Sequence, residues 1–122
     1  MGDLHILYYA KTIPDESVLR TLKDKGIKIE VVRLAVEACN LLVLGPDLFI
    51  TDEIALKEDT AGFVMSSAAG GGVPIVLLVR KQYLPMALQK AKELGADSVI
   101  TGPLNCNDIR GILAQLKTIR KA

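Results

Sequence analysis

Five short apolar runs, at 4–9, 27–34, 48–51, 74–79 and 98–101, alternate with segments of helical spacing along this chain. Strands separated by a helix pair as parallel neighbours joined by crossovers. Crossovers within one sheet are right-handed and lay helices on both of its faces. The pattern therefore predicts a three-layer α/β sandwich of five parallel strands and five helices. The run 27–34 alternates Ile27, Ile29 and Val31 with Lys28 and Glu30, as an edge strand does. The runs 48–51 and 74–79 are continuously apolar, which places them centrally, covered on both faces.

Local signals mark the helices. Thr12-Ile13-Pro14-Asp15 opens the first, which is expected to reach about Lys25, to bury Val18, Leu19 and Leu22, and to stop at Gly26 in a positive-φ turn. The second runs through Glu37 to Leu42. The third, at 61–69, is weakly marked and ends at Gly70-Gly71-Gly72. The fourth, at 83–94, aligns Leu84, Ala87, Leu88, Ala91 and Leu94 on one face before Gly95. The fifth follows Asn105 and aligns Ile109, Ile112, Leu113, Leu116 and Ile119.

The length of 122 residues suits one domain, 1–122, around a single core. Half the residues are hydrophobic and Trp is absent, so that core must be mainly aliphatic. Fifteen basic against fourteen acidic residues give a net charge of +1, too even a balance to draw nucleic acid or an anionic membrane. Cys39 and Cys106 lack the spacing of a zinc or redox pair and are read as reduced thiols. No run approaches the roughly 20 apolar residues of a spanning helix, and the start lacks a secretory pattern. A cytoplasmic location is the expectation.

Asp52 is the residue with most chemical promise. It directly follows a central strand run, and open α/β sheets gather ligands at the carboxyl ends of their strands. The other candidates are weaker. The triplet 70–72 precedes a strand, whereas a phosphate cradle follows one and opens a helix. His5 starts a strand and reads as structural. Ser66 and Ser67 have no nearby base, and Cys106, although near a helix start, reads as an ordinary thiol.

Three segments carry a resemblance: 37–42, beginning Glu37-Ala38; Pro46-Asp47-Leu48-Phe49-Ile50-Thr51-Asp52; and Gly95-Ala96-Asp97-Ser98-Val99-Ile100-Thr101-Gly102-Pro103-Leu104. With the strand and helix order, they make the chain similar to the receiver domains of two-component response regulators, of the chemotaxis-regulator kind, over essentially its whole length. The resemblance implies a flavodoxin-like fold with strand order 2-1-3-4-5 and puts Asp52 at the phosphoacceptor position. It also implies a cis Gly102–Pro103 bond.

The same resemblance calls for Mg²⁺ on an acidic pair after strand one, a Ser or Thr ending strand four, a Lys after strand five and an aromatic switch residue on strand five. Here Tyr9 and Ala10, Val79, Gly102 and Val99 occupy those positions, and Arg80 stands where the family keeps a small residue. A phosphoryl group on a carboxylate needs cations placed beforehand, and Mg²⁺ needs several oxygen donors. Asp52 with the Ile54 carbonyl is a poor cage, and Glu53 offers an alternative second carboxylate. The expectation is a pseudo-receiver without metal, cofactor or enzymatic turnover, whose Asp52 pairs with Arg80 or, as second choice, Lys11. Against that pairing stands the plain reading in which both cations face water.

Partner binding is expected on the face of the fourth helix, fifth strand and fifth helix, through residues such as Tyr83, Gln89, Lys90, Glu93, Lys117 and Arg120, with a homodimer as one form. The alternative is a true receiver, phosphorylated with Mg²⁺ on Asp52 by a histidine kinase. A third reading, a small-ligand domain of the same shape, lacks a phosphate loop and the aromatics to stack a flavin.

Overall fold

The computed structural model describes residues 4–10, 16–52, 64, 67, 68, 70–101 and 111. The apolar runs form strands β1 (Leu4–Tyr9), β2 (Ile27–Val32), β3 (Leu48–Asp52), β4 (Ile75–Val79) and β5 (Ser98–Thr101). Helices α1 (Glu16–Asp24), α2 (Ala35–Leu42) and α3 (Leu84–Leu94) lie between them, α3 being the fourth helix of the sequence pattern and entered through a 3₁₀ turn at Lys81–Tyr83. Residues 64, 67, 68, 70 and 111 are also helical. The remaining parts of the third and fifth helix patterns, and the cis expectation at Gly102–Pro103, lie outside the described residues.

All strands run parallel in the order β2-β1-β3-β4-β5, as the resemblance implies. Strand alternation divides the core in two. Ile6, Tyr8 and Ala10 pack on one face with Val18 and Leu22 of α1. Leu7 and Tyr9 pack on the other with Ala38 and Leu42 of α2 and with Phe49 and Leu77. The central strands β3 and β4 are buried at every position, which explains why their sequences do not alternate.

β2 is an edge strand, but shorter than its apolar run. The β1–β2 ladder ends with Tyr9 opposite Val32, and two residues on Leu34 caps the start of α2. Val31, the last apolar residue of that alternation, is 37% exposed, while Val32 is buried in the opposite face. Leu88, placed on the inward stripe of the fourth helix, is 49% exposed. Successive turns of 3.6 residues put it roughly 40° to one side of Leu84, which does pack on the core, and that flank opens to water. Leu19 is half-buried rather than buried.

Gly26 ends α1 with φ 77°, where a side chain would be strained, and its N–H donates to the Lys23 carbonyl at 3.0 Å. Gly72 does the same after the helical residues 67, 68 and 70: at φ 72° it lets the Val73 N–H reach the Ala68 carbonyl at 3.0 Å, directing the chain into β4.

Two aspartates fix the amino ends of the ladder by one device. The Asp47 N–H donates to the His5 carbonyl, and the His5 N–H donates to Asp47 Oδ2, both at 2.8 Å. The Asp97 N–H donates to the Ile75 carbonyl at 2.8 Å, and the Ile75 N–H donates to Asp97 Oδ2 at 2.7 Å. Each aspartate stands one residue before its own strand and closes a two-bond ring on the strand beside it. A strand's first N–H would otherwise lie half-buried without an acceptor. Replacing Asp97 by Ala is expected to lower stability by about 1–2 kcal/mol, and Asp97→Asn, which keeps a carbonyl acceptor, by less. Urea denaturation followed by circular dichroism checks the order, and equal losses for the two variants would contradict the assigned role.

Candidate functional site

The carboxyl ends of β1, β3 and β4 meet at Asp52. It is the last residue of β3, opposite Leu78, and the register sets Tyr9 of β1 level with Thr51. Asp52 is 3% exposed, and it and Thr51 are the buried polar or charged residues among those described. Strand alternation gives Asp52 the face that carries Leu48 and Ile50. A carboxylate so far from water requires compensating donors or cations, and Asp52 is not left without a partner. The Thr51 hydroxyl, on the opposite face, has no hydrogen-bond partner among the described residues.

The structure brings several of the sequence-derived positions together here. Tyr9, Ala10 and Val79 are each 1% exposed and belong to the core. Ala10 packs in the cluster that contains Ile50 and Leu78. Tyr9 and Val79 pack on the other face, where the Tyr9 ring stacks on Phe49 at 6.5 Å between centroids and 10° between planes. Val99 sits one strand further, level with Leu77, half-buried against the same cluster. Of these positions Ala10 lies on the face of Asp52, while Tyr9, Val79 and Val99 lie on the other, and none of the four is a carboxylate or carries an aliphatic hydroxyl. Among the described residues no group of three His, Cys, Asp or Glu is placed to hold a metal ion.

Arg80 directly follows β4 and is exposed. Its guanidinium carbon lies 4.6 Å from the centre of the Tyr83 ring, a cation–π contact across the 3₁₀ turn. Lys11, Glu53, Ile54 and Gly102 lie outside the described residues, as do Ser66 and Cys106. Cys39 is a half-buried free thiol on α2. His5 is at the far end of the sheet from Asp52, its Nε2 2.8 Å from Glu30 Oε1, which Lys28 Nζ also approaches at 3.5 Å.

The sequence reading missed two features of consequence. The Arg80–Tyr83 contact was signalled only by a spacing of three residues at a helix entrance, where a 3₁₀ turn stacks side chains i and i+3. The two aspartate rings were signalled by an Asp just before each of the apolar runs 48–51 and 98–101.

No protein-family model and no curated protein matches the chain. Solved structures do. A two-component response regulator from Clostridium difficile aligns over 98% of this chain and 100% of its own, with a TM-score of 0.74 and 19% identity. The chemotaxis response regulator CheY4 of Vibrio cholerae aligns over 94% and 99%, with a TM-score of 0.70 and 19% identity. A response regulator receiver protein from Sinorhizobium medicae aligns over 94% of both chains, with a TM-score of 0.68 and 21% identity. Together with the strand order and the placing of Asp52 at the end of β3, these likenesses identify the fold as that of the response-regulator receiver domains.

Proposed function

We propose that this domain is a pseudo-receiver: a cytoplasmic interaction module of signal transduction that keeps the receiver scaffold and works without phosphorylation or enzymatic turnover. The observation that carries the reading is what occupies the carboxyl ends of β1 and β4, on either side of the strand that ends in Asp52. Tyr9, Ala10 and Val79, all buried, fill the positions at which the resemblance calls for two carboxylates and a hydroxyl. A phosphoryl group on Asp52 would add roughly two negative charges at a strand end where those three positions supply neither a metal ligand nor an aliphatic hydroxyl. Val99 in place of an aromatic removes the ring whose movement would report such a charge.

In this reading a lysine or arginine stands in for the metal beside Asp52. Arg80 is the first candidate and Lys11 the second, and the Arg80 guanidinium also lies over the Tyr83 ring. A carboxylate paired with a fixed cation resists modification and holds one conformation. The partner face is assigned to α3, β5 and the segment beyond, where Gln89 and Glu93 are exposed.

Incubation of the protein with Mg²⁺ and acetyl phosphate, followed by intact mass measurement, tests the proposal. The mass is expected to stay unchanged at every time point. A gain of one phosphoryl group that vanishes in Asp52→Asn would instead establish a phosphorylated receiver, with Mg²⁺ as its cofactor.

A further inference from the structure

A surface helix ordinarily turns one apolar stripe inward and shows charge to water. α2 departs from this. Its inward stripe is Ala38 and Leu42, yet the segment 34–44 carries a single charged side chain, Glu37. Leu34 is 55% exposed, Val36 63%, Val43 85% and Leu44 71%, and Val31 at the end of β2 adds a fifth side chain at 37%. Five of the seven large apolar side chains exposed among the described residues thus fall within 31–44. Beside them Val36, Cys39 and Val43 form one wall of a groove of about 790 Å³, with Ser67 and Gly71 on the far wall.

We propose that this face binds a second copy of the chain, α2 against α2 about a two-fold axis. Three considerations select that occupant. The five side chains leave roughly 500 Å² of apolar surface per copy, so two copies face to face withdraw roughly 1,000 Å² from water, the lower bound for a specific interface. The charges within 31–44 are one of each sign, Arg33 and Glu37, so the face has no net charge to select an acidic or basic partner and little to repel its own image. It also carries both a groove and an exposed apolar side chain outside that groove. Leu44 projects beside the groove without lining it and is available to enter the groove of the other copy. The dimer depends neither on the phosphorylation state of Asp52 nor on the face formed with α3.

Sedimentation equilibrium of the 122-residue chain, from low micromolar to near millimolar concentration, tests it. The mass is expected to rise from 13.2 kDa toward twice that value. Val36→Glu and Val43→Lys should each weaken association at least tenfold with thermal melting unchanged, because both positions are exposed and each new charge suits its end of the helix dipole. Met86→Lys, at a 73% exposed position on α3, should leave association intact. A wild-type chain that stays monomeric throughout overturns the proposal. So does association that survives both α2 variants, or that Met86→Lys abolishes.

Discussion

Phe49→Ala is expected to cost about 3–5 kcal/mol, the range for truncating a fully buried aromatic side chain. Phe49 is 0% exposed, in the middle of the sheet, between Leu7 of β1 and Ile75 of β4. Its ring also stacks on Tyr9, so truncation removes a ring contact as well as hydrocarbon burial. The chain has two Phe, three Tyr and no Trp, which leaves few other large side chains to close over the cavity. Domains are stable by about 5–15 kcal/mol, so this one substitution removes a large share and should lower the melting temperature by roughly 10–20 °C. Phe49→Leu, which keeps most of the volume, should cost about 1–2 kcal/mol. Urea denaturation of both variants measures the difference. A loss below about 1.5 kcal/mol for Phe49→Ala would mean that the surrounding side chains collapse into the space, and that the two faces of the sheet are less tightly packed than described.

Much of this architecture is legible in the sequence because strand and helix periods differ. Continuous runs such as 75–79 have no polar alternative face, and Gly26 has one conformational use at a helix end. What the sequence leaves open is rotation and length. The spacing of Leu84 and Leu88 says that they share a side of α3, but the centre of that side is set by how the helix meets the sheet, and Leu88 falls at its margin. Hydropathy alone extends β2 through Leu34, whereas the strand ends when its neighbour does, at Tyr9 and Val32. The same holds at the site. The position of Asp52 follows from the run before it, since a strand brings its last residue to the sheet's edge. The contacts at that edge depend on side-chain directions that no spacing rule supplies, and so the stacking of Arg80 on Tyr83 emerged only from the coordinates.

The carboxylate itself gives the sharpest separation between the two readings of this domain, because the sign of a stability change differs. In a phosphorylatable pocket Asp52 would share its surroundings with two further acids, and removing one of three like charges relieves repulsion. Here Tyr9, Ala10 and Val79 stand at the positions that those acids and the hydroxyl would hold, so removing Asp52 relieves no repulsion from them. If a lysine or arginine is held against Asp52, deleting the carboxylate leaves that cation in a poorly hydrated place, and loss of one partner from a buried pair is costly. Asp52→Ala is therefore expected to destabilise the domain by about 2–3 kcal/mol, less than the loss for a wholly buried pair because the long stem of an arginine or lysine lets its head regain water. Arg80→Met combined with Asp52→Ala should recover part of that loss, and Lys11→Met should do so instead if the second candidate holds the place, so the double-mutant cycle assigns the partner. A domain that becomes more stable when Asp52 is removed would restore the crowded acidic pocket, and with it the case for phosphorylation.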